Sequence, residues 1–307
     1  FLDGGSLPLS YMYYALPKFV IENASTNIYG ARILNQELIN GAFLLAPSYQ
    51  EAEKIANFLD HETAKIDTLI EKQQQLIKLL KEKRQAVISH AVTKGLNPNA
   101  PMRDSGVEWL GEVPAHWILG RLKNVLRIRN GKDYKTVEVE GGGYPVYGSG
   151  GIFKRSSGYL YDGKSVLFGR KGTIDKPLVV RGKFWTVDTM FYSEVFDNAL
   201  PEYIYYQATM FPFGLLSTNT ALPSMTQEDL LELPFVIPPY EEQVKINSKA
   251  REKSNKFDCL IVKAESAIQL MQERRTALIS AAVTGKIDVR NWVAPEPSTT
   301  INKEVAA

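Results

Sequence analysis

One cysteine, Cys259, is present in 307 residues, so no internal disulfide framework holds this chain together. Histidine is nearly as scarce. His61, His90 and His116 stand far apart with no thiol beside them, a spacing that offers no metal-ligand set; no metal or cofactor is expected. Long apolar runs are missing too, with no stretch long and apolar enough for a membrane span or a secretory signal, and a cytoplasmic protein without membrane contact is the expectation. Net charge is also small, 36 Lys and Arg against 34 Asp and Glu, or +2.

That near-zero balance hides an uneven distribution. Between Ile118 and Ser193 fourteen Lys/Arg face six Asp/Glu, a local excess of +8 that leaves −6 on the remainder. The densest run is Arg121, Lys123, Arg127, Arg129, Lys132 and Lys135, and the sign persists through Lys154, Arg155, Lys164, Arg170, Lys171 and Lys176. A solvated charged surface would account for one such run. Its persistence through the segment favours a surface for a polyanion.

What the chain has in abundance is itself. Pro47–Thr93 and Pro238–Thr284 align without a gap at an offset of 191 residues, with 20 identities in 47 positions. With one residue of slip the repeat extends backwards, because Tyr11–Tyr14 meets Tyr203–Tyr206 and Ser25–Asn27 meets Ser217–Asn219. The repeating unit is therefore a globular segment followed by a long helix. Only about 46 residues precede the first helix, and Phe1 is no initiator Met. The expectation is the C-terminal part of a longer protein whose first globular segment lacks its front.

Both repeated stretches have helical periodicity. Leu59, Ile66, Gln73, Leu80 and Val87 recur every seven residues, with Leu69, Ile70, Leu76 and Ile77 filling the same stripe; Phe257, Ala264, Met271 and Leu278 are the second set. Gln73 sets register or sits at the edge of the stripe. Helices of this length need partners, and the simplest solution packs the two copies antiparallel. The segment between them alternates short apolar runs with glycine, as in Tyr144–Gly151, Ser165–Phe168 and Pro177–Val180, which predicts strands and turns. Leu200–Phe211 and Thr226–Leu233 read as helices, the latter capped by Thr226. The fold class expected is mixed α/β: globular domains joined by two long antiparallel coiled-coil helices. The expected boundaries are 1–46 for the remnant, 47–104 for the first helix and linker, 105–237 for the complete domain, 238–293 for the second helix, and 294–307 for a disordered tail.

Particular stretches carry a resemblance. Phe58–Asp60 with Ile66-Asp67, Leu80–Gln85 with Ala91–Gly95, Ser105–Trp117, Pro145–Ser149, Gly169–Ile174, Phe184-Trp185 and Asp188–Tyr192 are similar to the specificity subunits of type I restriction–modification systems, in which two target-recognition domains alternate with two long repeated helices. The resemblance implies a non-catalytic subunit that binds double-stranded DNA. Its implied partners are methyltransferase subunits, two of them, and an endonuclease/translocase subunit.

Lysines and arginines in the basic segment would then neutralise phosphates, for which Lys132, Lys135, Lys154, Arg155, Arg170, Lys171 and Lys176 are the candidates. Tyr147, Ser149, Thr173, Thr218, Asn219 and Thr220 are candidates for reading bases, although turn chemistry explains them equally well. Arg84 and Arg275, equivalent in the repeat, are candidates for subunit docking.

Other motifs point elsewhere. Gly158–Ser165 fits the phosphate-loop pattern GxxxxGK[ST], but the strand-like Val166–Phe168 follows where a helix is required. Ile237-Pro-Pro-Tyr240 resembles the Asn/Asp-Pro-Pro-Tyr tetrapeptide of adenine methyltransferases, yet Ile237 cannot accept a hydrogen bond and the stretch reads better as a strand exit and helix start. No Pro-Asp pair occurs, which argues against the commonest restriction-nuclease core. A coiled-coil scaffold without DNA and a phosphate-loop nucleotide-binding protein are the alternatives to the DNA reader.

Overall fold

A computed structural model describes residues 7–22, 24–27, 29–216 and 223–294. The chain divides into two compact units, Phe1–Leu79 with Leu260–Ala307, and Leu80–Cys259. Helices α1 (Leu9–Glu22), α2 (Gln36–Asn40), α3 (Tyr49–Lys94), α4 (Pro201–Ala208), α5 (Phe213–Leu216), α6 (Gln227–Leu231) and α7 (Tyr240–Val283) carry the helical residues. The two repeated stretches are α3 and α7, each long enough to contribute to both units. They start slightly later than the repeat boundaries. Ser48 caps α3 through the Glu51 amide at 3.3 Å, and α7 opens after Pro238-Pro239, whose second carbonyl accepts from Gln243 N at 3.1 Å. At its far end α7 is closed by Gly285 in the left-handed region at φ 72°, with Lys286 N reaching back to Ala281 O at 2.8 Å. Glycine fits there because a Cβ would strain that conformation.

The unit of residues 80–259 contains the basic segment. Seven of the described strands form one sheet in the order β6-β12-β10-β11-β8-β9-β7. They are β6 (Leu126–Asn130), β7 (Glu138–Val139), β8 (Tyr144–Gly148), β9 (Gly151–Ser156), β10 (Tyr161–Gly169), β11 (Leu178–Thr186) and β12 (Met190–Val195). β11 and β8 pair parallel; the other pairs are antiparallel. Strand alternation puts Val166, Phe168 and Phe191 into one core with Trp117, Tyr203 and Phe235, while Leu167, Met190 and Tyr192 join Val146, Val180 and Phe184 in a second. Between the two cores, buried Ser165 and Ser193 replace ladder bonds: Ser165 Oγ donates to Ser193 O at 2.7 Å, and Val166 N donates to Ser193 Oγ at 2.8 Å.

Short antiparallel pairs close the domain onto the helices. Strand β3 (Met102–Asp104) pairs with β4 (Glu112–Pro114), and β5 (Ile118–Arg121) pairs with β13 (Pro234–Ile237), so the first strand of this unit lies just ahead of the expected start at residue 105. Trp117 Nε1 donates to Glu242 Oε2 in the first turn of α7 at 3.1 Å. α4 is shorter than the Leu200–Phe211 expected, because it stops at Ala208 and the chain turns at Thr209. α6 is likewise shorter than Thr226–Leu233, and its Thr226 cap accepts from Asp229 N at 3.1 Å.

Within the other unit, α1 lies at the start of α3, and Tyr11, Tyr14, Ala52, Ile55 and Leu59 form a core with Ala282, Val283 and Val289. Strands β1 (Ser25–Thr26) and β2 (Arg32–Ile33) form a short ribbon; Ser217–Asn219, the counterpart of Ser25–Asn27, lies outside the described residues. The apolar stripe of α3 is narrower than its sequence suggests. Leu59 and Ile66 are buried, whereas Leu69 and Leu76 are about half exposed, because one partner helix covers a single seam and leaves the flanking positions outside it. Gln73 is partly buried at the margin.

The repeat is visible in the bonds as well as in the residues. Tyr203 Oη, fully buried, donates to Val236 O at 3.2 Å, and its counterpart Tyr11 Oη donates to Leu45 O, the residue matching Val236, at 2.9 Å. Burial pushes both phenols above their ordinary range. The copies then diverge. Gln207, whose amide donates to Val236 O at 2.8 Å, is matched by Ala15.

Candidate nucleic-acid interface

The Gly169–Thr173 turn leaves the end of β10. A Cβ on Gly169 would lie 2.0 Å from Thr173 O and 2.8 Å from Ile174 Cα, so only glycine lets the chain fold back this closely. The turn is then strapped on both sides. Arg170 N donates to Thr189 O at 2.8 Å, Met225 N to Arg170 O at 3.0 Å, and Gly172 N to Pro223 O at 2.9 Å. The Arg170 guanidinium lies 6.0 Å from the centre of the Phe191 ring and donates to Asp188 O at 3.3 Å. Beside it an open cavity of about 440 Å³ is lined by Asn130, Arg170, Lys171, Phe191, Gln227 and the Ser224–Thr226 segment.

The cations of the basic segment separate into two groups. Arg121 and Lys123 pair with Glu232, Arg129 with Glu194 at 3.0 Å, Lys154 with Glu138 at 2.6 Å, and Lys164 with Glu202 at 3.1 Å. The bonded carboxylates raise the pKa of Arg129 and of Lys154 above their ordinary values. Among the described residues, Lys132, Lys135, Arg155, Arg170, Lys171 and Lys176 have no carboxylate within salt-bridge reach. An unneutralised cation keeps its full charge for an anionic partner, and six of the seven phosphate candidates are of this kind; Lys154 is the exception.

Residues 114–249 match the family described as the type I restriction modification DNA specificity domain. The type I restriction enzyme MjaVIII specificity subunit of Methanocaldococcus jannaschii is 22% identical over 319 aligned positions, covering 92% of this chain and 71% of that protein. Residues 114–249 thus carry a type I restriction modification DNA specificity domain. Solved structures share the fold. The HsdS subunit from Thermoanaerobacter tengcongensis has a TM-score of 0.52 at 14% identity, over 93% of this chain and 72% of that one. A chain from a type I system solved for its complex assembly and conformational transition reaches 0.62 at 16% identity, over 88% and 69%.

The remaining candidates fall in varied surroundings. Tyr147 packs edge-on against Phe184, with ring centres 6.0 Å apart, in the second core. Ser149 lies at the tip between β8 and β9, and Thr173 closes the strapped turn. Thr218, Asn219 and Thr220 lie outside the described residues. Arg84 pairs with Asp258 and Arg275 with Asp67 at 3.0 Å, so both docking candidates have partners inside the chain.

The phosphate-loop pattern runs into strand: its Lys164 and Ser165 sit within β10, tied to Glu202 and Ser193. No described helix is long and apolar enough to cross a membrane. Two residues of the cavity, Asn130 and Gln227, carry no signal in the sequence. They lie 97 positions apart and meet only through the sheet and α6, Gln227 Nε2 donating to Asn130 Oδ1 at 2.9 Å.

Proposed function

We propose that this chain is a specificity subunit of a type I restriction–modification system that reads one half of a split DNA target through residues 105–237, while α3 and α7 carry two methyltransferase subunits and an endonuclease/translocase subunit joins them in the cytoplasm. The observation that supports the DNA face is the set of acid-free cations, Lys132, Arg170, Lys171 and Lys176, within and beside the strapped turn. Phosphate contacts fix position and carry no sequence information, so such a set holds the duplex while neighbouring groups read it. Residues 1–46 contain no counterpart of the span from Lys132 to Asp188 and contribute no base contacts in this reading. Footprinting the full chain with its methyltransferase partner tests it. One copy should protect a single specific half-site, or two copies a symmetric site; two different half-sites protected by one copy would overturn it.

A further inference from the structure

We propose that the amide pair Asn130 and Gln227, set beside Arg170 at the end of β6, reads an adenine edge in the DNA major groove. The inference rests on the DNA-reading function proposed above. The bond from Gln227 Nε2 to Asn130 Oδ1, 2.9 Å long, orients both amides. It leaves Asn130 Nδ2 as a donor and Gln227 Oε1 as an acceptor, and no other described side chain uses either. A base edge that satisfies an adjacent donor and acceptor must present an acceptor beside a donor. In the major groove adenine does so through N7 and N6; guanine shows two acceptors, cytosine a donor and thymine an acceptor.

The surroundings fit this role. The residues lining the cavity include two cations, Arg170 and Lys171, and no carboxylate, so the lining itself presents positive charge to an approaching duplex. Asn130 stands in the ladder opposite Phe191, and Gln227 is the first residue of α6, whose cap is bonded at 3.1 Å. Both amides therefore stand on backbone fixed by regular structure, which lowers the entropy lost when they engage a base. An amide tie serving only to hold α6 against β6 would be indifferent to sequence. That difference is measurable.

The full chain, co-expressed with its methyltransferase subunit, is equilibrated with a randomised duplex library as wild type and as Gln227→Ala, Asn130→Ala, Asn130→Asp and Lys171→Ala. Asn130→Asp keeps the side chain's size and removes the free donor, so it separates loss of readout from loss of folding. The three amide variants should lose preference for adenine at one position of the half-site by about tenfold; the two alanine variants should leave affinity for non-specific DNA unchanged, whereas the carboxylate of Asn130→Asp should also weaken binding to every sequence. Lys171→Ala should instead weaken binding to every sequence alike. An unaltered preference in the amide variants, or a loss at a position other than adenine, would overturn the proposal. A wild-type complex with no sequence preference at all would overturn the DNA-reading function on which it rests.

Discussion

Arg84 and Asp258 form an ion pair whose image under the 191-residue repeat is the pair Arg275 and Asp67. Each arginine of one copy meets the aspartate of the other. The same two positions thus serve twice, once in each unit, and within each unit α3 and α7 run antiparallel. The Arg84 side chain is 35% exposed and that of Asp258 49%, which places the pair among surface ion pairs of modest value.

Replacing Arg84 by Ala should accordingly destabilise the chain by no more than about 1 kcal/mol, and Arg275→Ala should behave alike. Charge reversal at Arg84 puts two acids face to face and should cost more than the alanine. Combining Arg84→Asp with Asp258→Arg should restore most of the loss. Thermal unfolding of the wild type, Arg84→Asp, Asp258→Arg and the double variant, read as a double-mutant cycle, checks this.

Gln207→Ala should cost about 1–3 kcal/mol, because the buried amide that serves Val92 O and Val236 O, and accepts from Val236 N, would be lost without water to replace it. Denaturant titration gives the value directly. A change below 0.5 kcal/mol, roughly the limit of surface substitutions, would mean the network is slack.

The division of cations into paired and unpaired makes a contrast testable by salt titration. Lys171→Ala and Lys176→Ala should each lower the slope of log affinity against log salt by about one. Lys154→Ala should lower it less, since Glu138 already neutralises that ammonium. Equal slopes for all three variants would remove the distinction.

Gly169→Ala should damage the turn itself. The added methyl would meet Thr173 O at 2.0 Å, closer than any relaxed backbone allows, so the straps holding Arg170 and Lys171 must shift. Loss of DNA affinity greater than that of Lys171→Ala is the expected outcome.

Glu252 supplies a test of pH dependence. Hydrogen bonds from Lys256 and Lys249 hold its carboxyl down from 4.5 to about 2. A depressed carboxyl stabilises the folded chain above its unfolded pKa, and that contribution is lost as pH falls through the folded value. Its NMR titration midpoint should therefore lie near 2 and move towards the ordinary carboxylate range in Lys256→Ala.

The long helices, their antiparallel partnership and the basic segment were legible because each leaves a periodic or cumulative trace: a seven-residue apolar repeat, a 191-residue echo, a run of one charge. Tyr11 was foreshadowed as well, since Tyr11–Tyr14 aligns with Tyr203–Tyr206, but its acceptor at Leu45 was not. The cavity was not legible. Asn130 and Gln227 meet through a strand register and a helix start that no local pattern encodes, and whether a lysine is neutralised depends on an acid far along the chain, as Glu232 is for Lys123. The exposure of Leu69 and Leu76 escaped for a related reason: heptad spacing identifies positions that can be buried, while the number of neighbouring helices decides which are.

The replacement of Gln207 by Ala15 in the other copy bears on the order in which the chain opens. In one unit a tyrosine and a glutamine together clasp the carbonyls of Val92 and Val236; in the other, Tyr11 alone holds Leu45. With fewer bonds to break, the second joint should release at a lower free energy, and its amides should exchange with solvent deuterium while those around Tyr203 are still protected. Two joints built to one plan thus become an early and a late step of unfolding.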